Sequence, residues 1–435
     1  MKVTTAIAAA LLTLAVPAAA LPCAAAGIAQ QRGDLAKGGS YVVEPNPTIG
    51  VAAAGLWFRA PGAGYDNATP GISRLAATAA AVAPLSGGKS LFALVNSVGG
   101  QLNISVYPDI VGIGVTVPAS AIRRVVAAMT AAYFSPAIDD SAVKTAQRDA
   151  AVAAVAQRYS ADLALHDLLF AHVFSAGPAH YSPLPDSIAA IASLSASSIG
   201  TFAKRAFRSG NAMLTLTGDV DAASLSAVTD GSGSTNMDAP FDSTLSGATG
   251  PADANGAVSG TGFAWVGPPI ADARAATAMD FIADYLFRDG TGLVSRDVAP
   301  ADAYVAGQFV TLHNPGVMVV TMGGNDEAKA ERAMLDRLAA MERPLDAHTF
   351  AAALEAFIYH VASDTQAPLE RADNLGWYAV EGNLSYAPGD ASEEYQRMAR
   401  SLDPQFVADV VRRYLANPLS IKLLVPSNQP KGNAS

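Results

Sequence analysis

The sequence predicts an α+β protein with two successive α/β domains, each an antiparallel-rich sheet packed with helices, joined by a flexible linker. A pattern of strand, helix, strand pair, helices and closing strand runs through residues 41–228 and returns in residues 263–427. Residues 229–262 are rich in Gly, Ser, Ala and Asp, a composition that buries too little apolar surface to order itself. A polar leader (27–40) and a short tail (428–435) flank the domains. The length of 435 residues is ample for two hydrophobic cores.

The first 26 residues have the features of a secretory signal peptide. Lys2 precedes an apolar run from Ala6 to Ala20, and small-residue cleavage sites occur at Ala18–Ala20 and Ala24–Ala26. This run is too short to predict a transmembrane helix. We therefore expect the protein to be exported, to the periplasm or the medium. Lipid attachment at Cys23 is a second interpretation of the same segment.

Charge and cysteine content exclude several classes of partner and of architecture. The formal net charge is −10 at pH 7, which argues against binding to nucleic acid or to an anionic membrane surface. No stretch after the signal has the roughly 18 uninterrupted apolar residues of a membrane span. Cys23 is the only cysteine, so packing rather than disulfide bonds must stabilise the chain.

The elements of the first domain follow from hydrophobic periodicity and from turn and cap residues. A helix with apolar residues on one face starts after Ser120, which is a suitable N-cap. The other predicted elements are strands at Tyr41–Val43, Val51–Phe58, Gln101–Val106, Val111–Val117 and Ala212–Thr217, and helices at about 71–83, 90–98 and 140–159.

The second domain repeats this order after the linker. Strands are predicted at Phe263–Gly267, Ala303–Leu312, Val317–Met322 and Ile421–Val425. Helices are predicted at Asp272–Phe287, Asp326–Met341, Asp346–Ser363, Pro368–Tyr378, Glu393–Arg400 and Pro404–Leu415.

The stretch Gly71 to Ala79 resembles the start of an M16 (pitrilysin, or insulinase-like) peptidase domain, in which a glycine leads into a helix with the inverted zinc signature H-x-x-E-H. In that motif two histidines on one helical face bind Zn²⁺, and the glutamate activates the bound water. Here Arg74, Ala77 and Thr78 stand at the first histidine, the glutamate and the second histidine. A guanidinium is not a metal ligand and alanine is not a base. The resemblance therefore implies a degenerate site, with no metal or other cofactor in this chain.

The third zinc ligand of the family is a glutamate on a later helix, here the one predicted at 140–159. The candidates at this spacing are Gln147 and Ala154, and neither is an acid. The nearest acid, Asp149, lies two residues beyond Gln147, which turns its side chain by about 200° around the helix. The resemblance thus lacks all three metal ligands as well as the base.

The resemblance also implies substrate-binding residues. M16 enzymes have an asparagine after a Gly-Gly pair beside the cleft, matched here by Asn103 after Gly99 and Gly100. They also use an arginine and a tyrosine of the second domain to bind the substrate backbone and the developing oxyanion. Tyr304 matches that tyrosine, and Arg296, shifted by one residue from the family spacing, is the best match for the arginine.

Each of these residues has a second interpretation as an ordinary structural group. Tyr304 would then be an aromatic residue at a strand edge, and Arg296 a solvated charge in a loop. Arg74 either pairs with an acid in the former ligand space or points into solvent. The six histidines include no pair at i, i+4 and are expected on helix surfaces or in packing.

Two functions from different classes fit these features. In the first, the chain is a non-catalytic M16 subunit that helps to bind unfolded peptides in a heterodimer with a zinc-bearing M16 subunit. In the second, it is a binding or scaffold protein of the cell envelope that keeps the M16 shell without a role in proteolysis. An independent peptidase with a replacement zinc site is a third and weaker interpretation.

Overall fold

A computed structural model describes residues 30–36, 38–46, 50–60, 69–175, 181–220, 224, 237–239, 250–298, 303–384, 387 and 393–426. The predicted signal peptide, most of the linker and the tail lie outside these residues. Within them, no helix combines the length and the apolar character that crossing a bilayer requires.

The first sheet has six strands in the order β1-β2-β6-β3-β5-β4. Neighbours pair antiparallel except β2 and β6, which run parallel. Its strands are β1 Gln31–Asp34, β2 Ser40–Pro45, β3 Val51–Arg59, β4 Gln101–Val106, β5 Ile110–Pro118 and β6 Ala212–Gly218. The helices of this half are α1 Ile72–Val82, α2 Leu91–Ser97, α3 Ile122–Phe134, α4 Asp140–Arg158, α5 Ala161–Val173, α6 Leu184–Ser193 and α7 Ala196–Ala206.

The second sheet has five strands in the order β7-β11-β8-β10-β9, with β7 and β11 parallel and the other pairs antiparallel. Its strands are β7 Gly250–Asn255, β8 Gly260–Val266, β9 Ala303–Val310, β10 Val317–Gly324 and β11 Leu419–Leu424. Its helices are α8 Ala273–Phe287, α9 Leu293–Asp297, α10 Glu327–Met341, α11 Ala347–Asp364, α12 Pro368–Glu381, α13 Glu393–Arg400 and α14 Pro404–Tyr414.

The two sheets repeat one topology. The order β2-β6-β3-β5-β4 in the first sheet matches β7-β11-β8-β10-β9 in the second, and the parallel pair occupies the same place in both. In each half a central strand leads into a long helix, a short helix and an antiparallel pair that ends at the sheet edge. The prediction of two successive antiparallel-rich α/β units is therefore confirmed.

Helix starts follow from capping chemistry in both halves. The Ser90 hydroxyl accepts a hydrogen bond from the Ala93 amide (3.1 Å), and the Asp272 carboxylate accepts one from the Ala275 amide (3.3 Å). These bonds satisfy amides that have no partner inside the helix, so the two helices begin where the sequence predicts. The prediction for Ser120 is wrong. This residue lies in a 3₁₀ turn, and α3 begins after Ala121 without a side-chain cap.

The two halves exchange one helix each. Helix α12 of the second half packs on the first sheet, where Gly376 leaves room for the Trp57 ring. Helix α5 of the first half packs on the second sheet, and Leu165 lies over two strand glycines, Gly260 and Gly262. A Cβ would lie 2.0 Å from the Trp57 ring at Gly376, and 2.9 Å and 3.0 Å from leucine side chains at Gly262 and Gly260, so glycine permits the close approach of helix and sheet.

A buried ion pair connects the halves at α12. Arg371 Nε lies 2.7 Å from Glu44 Oε1, and its Nη2 lies 3.0 Å from Oε2. The side chains are 5% and 2% exposed. Such paired donors and acceptors satisfy both charges in a site that water does not reach.

Two predictions about chain segments need correction. Residues 31–34 of the expected loose leader form β1, which pairs with β2. Residues 250–262 of the expected linker contain β7 and the start of β8. Both missed strands lie at sheet edges and hold their place through backbone hydrogen bonds, and neither shows the apolar alternation of a half-buried strand.

Candidate functional site

Helix α1 holds the positions at which the resemblance places a metal site. Gly71 precedes it with φ 77°, a left-handed conformation that favours glycine. A Cβ at Gly71 would lie 2.6 Å from the Ile191 side chain, so space also requires glycine there. The helix then buries a row of alanines against α3, α4 and α7.

The three signature positions of α1 contain no metal ligand. Ala77 is fully buried, and its carbonyl accepts a hydrogen bond from the Tyr133 hydroxyl (3.0 Å). Arg74 and Thr78 are half-buried. Across the described ranges, no three His, Cys, Asp or Glu side chains form a group that could hold a metal ion. These residues do not fit zinc.

Both candidates for the third-ligand position have structural roles. Gln147 on α4 donates a hydrogen bond to the Ile191 carbonyl (3.1 Å) and contacts the Leu194 carbonyl at 3.4 Å. These carbonyls are at the end of α6, where backbone acceptors lack partners inside the helix. Ala154 is buried and Asp149 is exposed on the opposite side, as the helical phase predicts. Of the two candidates for that position, Gln147 thus connects two helices through its amide, and Ala154 packs in the core.

Arg74 lies near a polar cluster whose members, Asp167 and Tyr181, the sequence does not identify. Asp167 of α5 is buried and accepts hydrogen bonds from the Tyr181 hydroxyl and from the Leu184 amide (3.0 Å). Burial, together with the Asp167 carboxylate, raises the pKa of the Tyr181 hydroxyl well above its ordinary value. The Arg74 guanidinium is close enough to act in the opposite direction on that pKa.

Asn103 lies on β4, the outer strand of the first sheet. It is exposed and stands opposite Gly114 of β5 in the strand register. Its amide nitrogen is 3.5 Å from the Ser105 hydroxyl, a long contact that leaves the side chain accessible to solvent.

Tyr304 lies on β9, the outer strand of the second sheet, and 38% of its surface is exposed. Its ring covers Gly323 of β10, its cross-strand partner. Burial, assisted by the carboxylates of Asp162 and Glu327, raises the pKa of the Tyr304 hydroxyl well above its ordinary value. The hydroxyl, which also shares a hydrogen bond with the Thr321 side chain, is neutral at physiological pH.

Arg296 lies on the short helix α9, so its assignment to a loop is wrong. It is exposed, and its positive charge acts to lower the pKa values of Tyr285 and Asp297. The charges that act on the pKa of Tyr304 are instead those of Asp162 and Glu327. No contact between Arg296 and Tyr304 is found in the part of the chain that the structure describes.

Three histidines make local packing or polar contacts, as the sequence analysis expects. His172 contacts the Leu168 carbonyl (2.8 Å), and His360 contacts Asp284 (2.9 Å). His166 stacks on Phe170 with 4.6 Å between ring centroids. His180 lies outside the described residues.

A cleft of about 590 Å³ lies beside β9. Asp280 and Asp284 of α8 both line it, and Asp280 follows a run of buried apolar residues on that helix. Sequence reasoning missed this cleft, although a carboxylate between Met279 and Phe281 on an apolar helix is a signal that could have indicated it.

Comparison of the sequence with protein-family profiles and with curated proteins gives no match. Comparison of the structure with solved structures gives many. A protease from Helicobacter pylori aligns with a TM-score of 0.73 at 15% identity, over 92% of this chain and 99% of that one. A peptidase M16 inactive domain from Pseudomonas fluorescens aligns with a TM-score of 0.69 at 15% identity, with the same coverage.

A third similar structure comes from a different kind of assembly. Complex III2 from Candida albicans contains a chain that aligns with a TM-score of 0.72 at 11% identity, over 91% of this chain and 96% of that one. At such identities the likeness concerns the fold alone. The protein described here therefore has the fold of the M16 peptidases, as its sequence resemblance indicates.

Proposed function

We propose that this chain is a non-catalytic M16-type subunit that binds unfolded peptides and works in a heterodimer with a zinc-bearing M16 subunit. The proposal rests on the residues that α1 and α4 place at the metal-ligand positions of the M16 motif. The side chains of Arg74, Ala77 and Thr78 include no metal ligand. Gln147 donates a hydrogen bond to a carbonyl at the end of α6. The surrounding fold is nevertheless that of the peptidases.

Tyr304 supports a role in a shared active site. Its hydroxyl stays protonated, and the residue is partly exposed at the edge of the second sheet. A neutral phenol in such a place can donate a hydrogen bond to an oxyanion that develops on a scissile carbonyl. The carbonyl and the zinc would be held by the partner subunit. We further propose that the pair works outside the cytoplasm, given the predicted signal peptide.

The test compares Tyr304→Phe with Tyr159→Phe in the reconstituted pair. Tyr159 ends α4 and is 69% exposed, so its hydroxyl serves as a control for tyrosine loss. We expect Tyr304→Phe to lower peptidase kcat by about tenfold or more, and Tyr159→Phe to leave it unchanged. Co-purification of the tagged chain with a protein that has an intact H-x-x-E-H motif identifies the partner. A chain that stays monomeric and ignores such a protein contradicts the proposal.

A scaffold function without proteolysis is the second candidate. The observation that favours it is the alignment with a Complex III2 chain, which is as close in fold as the alignments with peptidases. Under this alternative, Tyr304→Phe and Tyr159→Phe leave the activity of any associated peptidase equally unchanged.

A further inference from the structure

The cleft beside β9 is lined by aromatic rings from several elements. Trp377 and Tyr378 come from α12, Phe357 from α11, Phe309 from β9 and Tyr395 from α13. Tyr107 of the first half joins them and meets Trp377 edge to face, with 4.4 Å between ring centroids. Aromatic faces carry negative electrostatic potential and attract cations.

The charged groups that line the cleft also favour a cation. Arg288 is paired with Asp364 (2.8 Å) and with Asp284 (3.2 Å). Burial lowers the pKa of His166, so this imidazole adds no positive charge near neutral pH. Asp284 and Asp364 together outnumber the single charge of Arg288, and Asp280 is a third acid in the lining, with which no Lys, Arg or His pairs within the described ranges. The lining residues therefore carry an excess of negative charge.

Asp280 is the group that most needs a counter-charge. Its carboxylate accepts a hydrogen bond from the Tyr395 hydroxyl (3.0 Å). Desolvation raises the pKa of Asp280 to about 7, in spite of that hydrogen bond. The residue is half-buried, which means that part of its surface still faces the cleft. A cation placed beside it would remove the cost of keeping an ionised carboxylate away from water.

The cleft also follows the open edge of a sheet. It is lined by the consecutive residues Gly307 to Thr311. Because side chains alternate between the two faces of a strand, a cleft that includes consecutive residues must run along the strand edge. Strand β9 pairs only with β10 in the described sheet. An extended peptide can add to such an edge through its backbone.

We propose that this cleft binds an organic cation with an apolar body, the ammonium or guanidinium of a small amine or of a basic side chain in a peptide that lies along β9. The rings enclose the apolar part, and Asp280 pairs with the charge. Anions are repelled by the excess negative charge, and a bare divalent ion finds too few oxygen ligands. This site goes beyond the proposed function and can be tested on the isolated chain.

The experiment is calorimetric titration of the full chain with four probes. Butylammonium and butanol form one pair, and a capped heptapeptide with a central lysine or norleucine forms the other. We expect each cationic probe to bind at least about tenfold more tightly than its neutral analogue. The Asp280→Asn variant should lose that preference, whereas Asp149→Asn, which removes an exposed acid on α4, should keep it.

The relative affinities of the two cationic probes distinguish a free amine from a basic side chain of a peptide. A lysine peptide that binds at least about tenfold more tightly than butylammonium assigns the site to a basic side chain on a strand. Equal affinities assign it to a free amine. The proposal is overturned if neither cationic probe binds more tightly than its neutral analogue, if neither cation binds saturably, or if Asp280→Asn retains the cation preference. The wild-type comparison decides the matter even if Asp280→Asn does not fold.

Discussion

At the scale of single residues, two buried acids lie together where α12 meets the first sheet. Asp109 is 2% exposed and Glu381 is 1% exposed. Burial raises the pKa of Asp109 to about 7, and the Arg59 guanidinium offsets only part of that rise. Burial and then the Asp109 charge raise the pKa of Glu381 well above its ordinary value. Folding therefore favours the protonated forms of both groups.

We predict that Asp109→Asn stabilises the protein at alkaline pH. An acid whose pKa is raised by folding contributes stability that is complete below its unfolded pKa, near 4, and is lost as pH rises through the folded value, here about 7. The amide does not titrate, so it avoids this loss. Each unit of pKa difference corresponds to about 1.36 kcal/mol. The free energy of unfolding of the variant should therefore exceed that of wild type by on the order of 2–4 kcal/mol at pH 8.

Urea unfolding at pH 4 and pH 8 measures this difference, which should be small at the lower pH. Asp149→Asn is the control, because Asp149 is exposed. Equal stability of Asp109→Asn and wild type at pH 8 would show that Asp109 is not desolvated.

The residues at the positions that match the zinc motif of the M16 fold show what a sequence can and cannot predict. The absence of ligands at Arg74, Ala77 and Thr78 was visible, because a motif either has the required atoms or lacks them. The hydrogen bond from Gln147 to the end of α6 and the cluster of Asp167 with Tyr181 were not. They depend on how distant helices approach, and local spacing carries no such information.

At the scale of elements, the long helices and paired strands followed from periodicity and caps, whereas β1 and β7 did not. Strand β7 has the sequence Gly-Pro-Ala-Asp-Ala-Asn, which has low strand propensity. It forms because its backbone pairs in parallel with β11. The seating of α12 on the first sheet was equally invisible, since it depends on the fit of Gly376 against Trp57.

The fit of Gly376 against Trp57 predicts that glycine-to-alanine substitutions on two different helices have opposite effects on stability. In Gly376→Ala the new Cβ would lie 2.0 Å from Trp57 Cδ1, so we expect a loss of about 3 kcal/mol through overpacking. In Gly200→Ala on α7 nothing lies within 4 Å of the new Cβ. There the better helix propensity of alanine should add about 0.5–1 kcal/mol. Chemical denaturation of both variants measures the pair, and equal signs would contradict the packing of α12 described here.

At the scale of the whole molecule, the exchange of α5 and α12 makes each half part of the other's core. The pair of Arg371 with Glu44 fixes this exchange at a site that water does not reach. We therefore expect the chain to unfold in one cooperative transition, although it contains two sheets.

Arg371→Met tests this coupling. Loss of the guanidinium leaves the Glu44 carboxylate buried without its counter-charge, which should cost about 3–5 kcal/mol. Differential scanning calorimetry should show a single transition at lower temperature, and Glu44→Gln added to Arg371→Met should restore part of the loss. Two separated transitions in the single variant would show that the halves are independent.

The central proposal is that this chain, which has the fold of a zinc peptidase, binds no zinc ion by itself. Its most direct test is the metal content of the purified full chain after zinc loading and dialysis, measured by mass spectrometry. We predict substoichiometric zinc, and no change on Arg74→Ala because that residue is not a ligand. One tightly held zinc ion per chain would contradict the claim.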